Sequence, residues 1–298
     1  MNLFKQIALI APTASGKTAL SIELAKRYSA NILSLDSLAI YKEIDIASAK
    51  PTKKEREEVK HFGIDIIYPH ETFSVATFIK LYQKAREESI KENRGLIIVG
   101  GTGFYLKSLI DGISPIPKIS KETIEKTLNL LEDTKKAYNF LYNIDSNYME
   151  KIKPTDRYRV EKMLNLYFET DLTPTEYFRR NPPQPIIKEP IKIYQIVTPR
   201  EILREKIAIR TQNMLDMGLI DEVKYLVDKY TTSPNSMKAI GIREVIDYLN
   251  GLYTKDELKE KIITNTARLA KRQRTFNRSK FKNSIDISLE ELRANISF

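Results

Sequence analysis

The stretch QIALIAPTASGKTALSIELAKRY, residues 6–28, decides the fold of this chain. It opens on a short apolar run, passes through small residues, and continues with Leu20, Leu24 and Tyr28 at helical spacing. A buried strand, a tight loop and a helix N-terminus therefore follow one another. That order is the setting of a phosphate-binding loop, in which successive backbone N–H groups point at anionic oxygens. The usual pattern is G-x-x-x-x-G-K-[ST], and here Ala11 stands at the first glycine. That glycine eases the turn out of the strand, and alanine serves there if its φ is negative. Pro12, Thr13, Ala14, Ser15, Gly16, Lys17 and Thr18 form the candidate cradle. Lys17 would reach the outer phosphates and the Thr18 hydroxyl would ligate Mg2+. The competing reading is a turn of small residues with an exposed lysine, which the strand–loop–helix setting disfavours.

Outward from this loop, NILSLDS (31–37) reads as a second strand and GLIIVGGTG (95–103) as a third. Between them an amphipathic helix starts after Ser74 and ends before Gly95. Strands alternating with helices predict a parallel sheet with helices on both faces. After Gly112 the pattern changes, and residues 115–190 read as helices only. In TIEKTLNLL the residues Ile124, Leu128 and Leu131 share one face, and Thr173 opens a capping box with Pro174 at the first helical position. NPPQPIIKEP (181–190) is a proline-rich linker, and IKIYQIVTP (191–199) is a returning strand. Helices follow at 199–217, 219–230, 241–250 and 255–279, with T-x-x-E boxes at Thr198 and Thr254. The expected fold is α/β: a P-loop NTPase-like parallel-sheet core (1–114 and 191–298) with a helical insertion domain (115–190) and a helical C-terminal part.

Composition narrows the function. With no cysteine among 298 residues, disulfides, thiolate zinc sites and cysteine nucleophiles are excluded together. His61 and His70 are the only histidines, which argues against a histidine-rich metal site, and both are expected at surface loop or helix ends. No apolar run approaches the length of a membrane span. MNLFKQ leads straight into the first strand, so no signal peptide is expected and the chain is assigned to the cytoplasm. The net charge of +10 favours a polyanionic partner.

Motor and switch NTPases end a second buried strand on an acid that holds Mg2+ and orients water. Here LIIVGGTG ends on Gly100, Gly101 and Gly103 with Thr102, a second anion-friendly turn. Group transfer from a phosphate or diphosphate donor fits better than hydrolysis. Asp36 ends the second strand, at the edge that opens on the ligand crevice. It reads either as a cap for the next segment or as a general base. Arg210 falls within the apolar stripe Leu203, Ile207 and Met214. A guanidinium there needs an anionic partner, either an internal carboxylate or the oxygens of a bound phosphate.

APTASGKTALSIELAK, SLDSLAIYKEIDIASAKP, VGGTGFYLKSLI, MKAIGIREV and TARLAKRQRTFNR occur in that order. Together they resemble the bacterial tRNA dimethylallyltransferases, the tRNA isopentenyltransferase family, over residues 7–279. The resemblance implies transfer of a dimethylallyl group from dimethylallyl diphosphate to the exocyclic amine of the adenosine 3′ of the anticodon. The P-loop then holds an isoprenoid diphosphate with Mg2+. By the same resemblance Asp36 is the general base, while Thr102 and Arg210 orient and neutralise the diphosphate.

The family's tRNA contacts, on the anticodon stem-loop, match Asp36, Ser37, Leu38, Ala39 and Thr102. They also match Tyr158, Arg159, Val160, Glu161 and Lys162 on the insertion, and Lys238, Ala239, Ile240, Gly241, Ile242 and Arg243. A last segment supplies Lys271, Arg272, Gln273, Arg274, Phe276 and Arg278. Apart from any family, residues 268–282 carry many cations, no acid, and Phe276 and Phe281, a composition suited to RNA. Ala11 and Phe276 depart from the family's usual glycine and tryptophan. The working unit is read as a monomer. A P-loop small-molecule kinase, an isopentenyltransferase of free adenine nucleotides and a non-enzymatic RNA-binding protein are the alternatives. The basic tail and the insertion weigh against the first two, and the P-loop against the third.

Overall fold

The computed structural model describes residues 4–296, so Met1 to Leu3 and the last two residues lie outside the description. The order of elements is β1 (Gln6–Ile10), α1 (Lys17–Arg27), β2 (Ala30–Ser34), α2 (Lys53–Glu58), β3 (His61–Phe62), α3 (Val75–Lys91), β4 (Gly95–Gly100) and α4 (Gly103–Asp111). Five helices follow: α5 (Lys121–Leu130), α6 (Thr134–Ile144), α7 (Ser146–Met149), α8 (Arg157–Thr170) and α9 (Pro174–Arg180). The chain then gives β5 (Lys192–Ile196), α10 (Arg200–Asp216), α11 (Leu219–Tyr230), α12 (Ile242–Leu249), α13 (Lys255–Lys280), β6 (Ile285–Ile287) and α14 (Leu289–Asn295).

The strands form one six-stranded sheet in the order β3-β2-β4-β1-β5-β6, and every pairing is parallel. A parallel sheet covered on both faces needs strands that are apolar throughout. β1 and β4 meet that need, being buried at every position. Leu20 and Leu24 of α1 and Leu292 of α14 pack on Ile7, Leu9, Ile97 and Val99 to make one core. On α3, Phe78 and Tyr82 are buried, and the Tyr82 hydroxyl donates to Gln6 Oε1 at 2.9 Å. A second core lies where the 38–47 segment meets the C-terminal helices. There Ile40, Tyr41 and Ile44 pack with Met214, Val223, Ile242 and Ile262. These helices thus stand beyond the C-terminal ends of β1 and β4, where ligands of such sheets bind.

Two compact units are present, one of residues 1–108 and 187–298 and one of residues 109–186. The second is all-helical apart from an isolated bridge, with a core of Leu131, Ala137, Leu141, Met149, Val160 and Leu164. Three expectations within the helices are corrected. Ile124 and Leu128 are 42% and 50% exposed, and α5 buries Thr123 and Thr127 instead. The Thr173 hydroxyl accepts from Glu176 N–H, yet Glu176 turns outward to Arg180 and does not close the box. The helix expected to be capped by Thr198 is capped at Pro199 without a side-chain bond. Glu201 lies in the first turn, where it complements the helix dipole. His70 is exposed as expected, whereas His61 belongs to β3 and is half-buried.

Candidate active site

The loop between β1 and α1 has the conformation of an anion cradle. Ala11 is fully buried, its N–H donates to Gly100 O at 3.2 Å, and its φ is not among the positive values. Ala14 at φ 62° and Gly16 at φ 87° turn the backbone inward at two points. Such left-handed residues bend consecutive N–H groups toward a common centre. α1 then begins at Lys17 with no side-chain cap and no acid in its first turn. Its first N–H groups have no partner within the helix. The Ser15 hydroxyl is buried without a hydrogen-bond partner.

A cavity of about 300 Å3 opens beside this loop. Its P-loop side is lined by Thr13 and Lys17, with Asp36 and Thr102 from the ends of β2 and β4 and Arg210 from α10. Ser37, Leu38, Lys238, Ala239, Ile240 and Gln273 add to the lining. A smaller space of about 50 Å3 shares Thr13, Lys17, Asp36 and Arg210 and adds Thr18, Ser34 and His61. Among the described residues no ion pair engages Lys17, Asp36 or Arg210. Arg210 Nη1 donates to Thr13 Oγ1 at 3.3 Å, and Lys17 Nζ to Pro12 O at 3.4 Å. The internal carboxylate that would make Arg210 a purely structural residue is therefore not within bonding distance.

Charge is arranged to match. Burial pulls the Lys17 pKa down to about 8, with Asp36 opposing and Arg210 adding to the fall. Burial also lowers the pKa of Arg210, again opposed by Asp36. Two cations that form no ion pair among the described residues, beside an uncapped helix N-terminus, form a site that attracts negative charge. Tyr105 lies near enough to Asp36 to feel it, and burial first, then Tyr41 and Asp36, raises its pKa to about 12.

Asp36 shows the capping role read from the sequence and keeps one oxygen free. Its Oδ1 accepts from Leu38 N–H at 2.8 Å and from Ala39 N–H at 3.2 Å, which is the capping role. Oδ2 makes no hydrogen bond among the described residues and is available to a ligand proton. Gln273, expected among the RNA contacts, is turned inward. Its Oε1 accepts the Thr13 N–H at 3.0 Å, and its Nε2 lies against Gly101, leaving no room there for a Cβ. It ties α13 to the P-loop across 260 residues.

Val160 and Ile242, placed in RNA-contacting segments by sequence, are fully buried in the cores of their units. Their side chains fill those cores, and the exposed members of the segments are Tyr158, Arg159, Lys162, Lys238 and Arg243. Phe281 is likewise buried, packed edge-on to Phe276 at 6.5 Å. Lys271, Arg272 and Arg278 are exposed, and Lys271 and Arg274 line a groove between α10 and α13 with Arg200, Arg204 and Arg268. Residues 158–162 belong to the helical unit.

A phosphate cradle and a free carboxylate oxygen in one cavity make a site for the chemistry of a phosphorylated substrate. Residues 39–280 match the family model described as IPP transferase. The chain belongs to this family. It is 56% identical to the tRNA dimethylallyltransferase of Sulfurovum sp. (strain NBC37-1) over 97% of this chain and 96% of that one. It is 51% identical to the tRNA dimethylallyltransferase of Aliarcobacter butzleri over 98% of both chains. A solved eukaryotic dimethylallyltransferase acting on tRNA is similar in structure, with a TM-score of 0.84 and 26% identity, covering 98% of this chain and 76% of that one. The tRNA isopentenylpyrophosphate transferase of Bacillus halodurans gives a TM-score of 0.68 at 30% identity, covering 96% of this chain and 90% of that one. No described helix is long and apolar enough to cross a membrane.

Proposed function

We propose that this chain transfers a dimethylallyl group from dimethylallyl diphosphate to the exocyclic amine of the adenosine 3′ of the anticodon in tRNA, releasing diphosphate. The observation that carries the reading is the grouping of Lys17, Arg210 and Asp36 in one cavity that Lys238, Ala239 and Ile240 also line. The amine nitrogen forms a bond to the first carbon of the allyl group as the carbon–oxygen bond to diphosphate breaks. Oδ2 of Asp36 takes the proton that the amine loses. The charge growing on the leaving diphosphate meets the P-loop N–H groups, Lys17 and Arg210. Thr102, at the N-terminus of α4, orients the same group. The adenosine must leave its stack to reach the cavity, as bases acted on by enzymes do.

The Thr18 hydroxyl lines the smaller space beside the P-loop, a hard oxygen donor suited to Mg2+. Mg2+ takes few protein ligands and completes its shell with water and phosphate oxygens, so one such donor beside a diphosphate fits it. Bound there through Thr18, it would neutralise part of the diphosphate charge.

The exposed tail cations favour tRNA over a free nucleotide as acceptor, and a monomer supplies every residue named. Incubation with labelled dimethylallyl diphosphate and unmodified tRNA, AMP or ATP tests the reading. Label should appear in tRNA alone. Label in AMP would make the chain a mononucleotide enzyme, and phosphate transfer from ATP to a small acceptor would make it a kinase. Replacing Lys271, Arg272 and Arg274 by Ala together should weaken tRNA binding and flatten its salt dependence, each lost phosphate contact reducing the slope by about 0.7–0.9.

A further inference from the structure

Two carboxylates are buried among the described residues, Asp145 and Glu244. Asp145 caps α7 and binds Thr175 within the helical unit. Glu244 is 2% exposed and stands at the third position of α12, next to the cavity wall. Burying a carboxylate is costly unless hydrogen bonds and a positive charge meet it. Glu244 has both. Oε2 accepts the Gly241 N–H at 2.7 Å. Oε1 accepts from Arg243 Nη2 at 2.9 Å and from Asn265 Nδ2 of α13 at 2.7 Å.

A plain helix cap would need only the first of these bonds. The other two reach outward to Arg243 and across to a different helix. The segment they hold is short, a 3-10 turn over Asn235–Lys238 that runs through residues 239–241 into α12. At its start Ser236 Oγ donates to Pro69 O at 2.8 Å. At its end Gly241 takes φ 95° and ψ −50°, a conformation that strongly favours glycine. Between these two pins lie Lys238, Ala239 and Ile240, which line the cavity.

We propose that Glu244 is a positioning residue for the acceptor RNA: its carboxylate braces residues 238–243 against α13 and so sets Lys238, Ile240 and Arg243 for the tRNA. This rests on the tRNA reading above. The diphosphate side does not depend on the brace, because the Lys17 and Arg210 contacts are made by other elements.

The test is Glu244→Gln, alone and with Asn265→Asp, measured as Kd for tRNA, Kd for dimethylallyl diphosphate, and Tm. In Glu244→Gln one acceptor oxygen becomes a donor facing donors, so either the Gly241 or the Asn265 bond is lost. The tRNA Kd should rise about 10-fold or more, the factor carried by one charge-assisted bond, while the diphosphate Kd stays put. In the double variant the new amide at position 244 donates to the new carboxylate at position 265, and its oxygen keeps the Gly241 N–H. The negative charge beside Arg243 also returns, and the tRNA Kd should recover. A Glu244→Gln enzyme that binds tRNA at wild-type strength overturns the brace. So does one whose tRNA and diphosphate affinities fall together with Tm, or a double variant without recovery. A wild-type enzyme that does not bind unmodified tRNA overturns the tRNA reading itself, and that is seen before any variant is made.

Discussion

Two stretches of this chain turn consecutive backbone N–H groups toward one point, and they are finished differently. At 45–47 the N–H groups of Asp45, Ile46 and Ala47 donate to Glu222 of α11 at 2.9, 2.7 and 2.9 Å. The P-loop has the same donor chemistry, yet α1 carries no side-chain cap and no acid in its first turn. The single donor engaged by a side chain there, Thr13 N–H, is met by the neutral amide of Gln273. The first nest is closed by the protein's own carboxylate and serves the wall of the cavity. The second is left for an anion that arrives from outside, and Lys17 and Arg210 stand over it. The difference teaches that a nest becomes a site only where the fold withholds its own carboxylate.

The largest effect on the open side should come from Asp36→Asn. The amide keeps Oδ1 for Leu38 and Ala39 and removes the base, so capping and chemistry separate. Turnover should fall about 10²-fold or more with both substrates still bound, as single-turnover kinetics and binding titrations will show. If the fold melts instead, the capping role is the whole role. Next is Arg210→Ala, for which kcat/KM toward dimethylallyl diphosphate should drop about 10²-fold, the scale for one oxyanion donor. Normal kinetics with a lowered Tm would return Arg210 to the structural side of the comparison.

Lys17 gives a smaller, graded effect. Its pKa near 8 in the free protein means that the cation is lost as pH rises through that value. A bound diphosphate favours the charged form, so binding above pH 8 takes up a proton. Affinity should therefore hold between about pH 7 and 8 and fall by at most about tenfold per pH unit above that, a limit set by one proton. Lys17→Arg should remove that dependence in a calorimetric titration. A slope that survives the substitution belongs to another group. The smallest effect on catalysis belongs to the closed nest. Glu222→Ala should cost about 1–2 kcal/mol of stability in denaturant unfolding, for charge-assisted bonds that are partly exposed. The diphosphate Kd should stay unchanged, and a shift in it would show that the two nests are linked.

Much of this was readable from the sequence wherever the information is local. Leu20 and Leu24 gave α1 by periodicity, Ser74 gave the start of α3, and Thr254 gave that of α13. Arg210 stood out because a charge in an apolar stripe demands an explanation. The two-residue β3 and three-residue β6 were missed, being too short for alternation to show. Ile124 and Leu128 misled because an apolar stripe fixes a face only if another element comes to cover it. Glu222 and Gln273 act on backbone 175 to 260 residues away, so no local spacing reveals them. Glu244 did leave a signal, the acid three residues after Gly241, but its bond to α13 did not.

The edge of the sheet at β6 sets a timetable for synthesis. Leu289 packs against the cluster built on β1 and α1, and a Cβ on Gly16 would meet its Cδ1 at 2.9 Å. Leu292 is fully buried in the same cluster. The phosphate loop and its backing are separated by more than 250 residues of chain, all of which a ribosome must add between them. At about 5–20 residues per second the gap amounts to tens of seconds. During that interval the nascent chain carries β1 and α1 without the helix that covers them. The backing of the loop that should meet an anion is complete only when residues 285–292 have been made and packed.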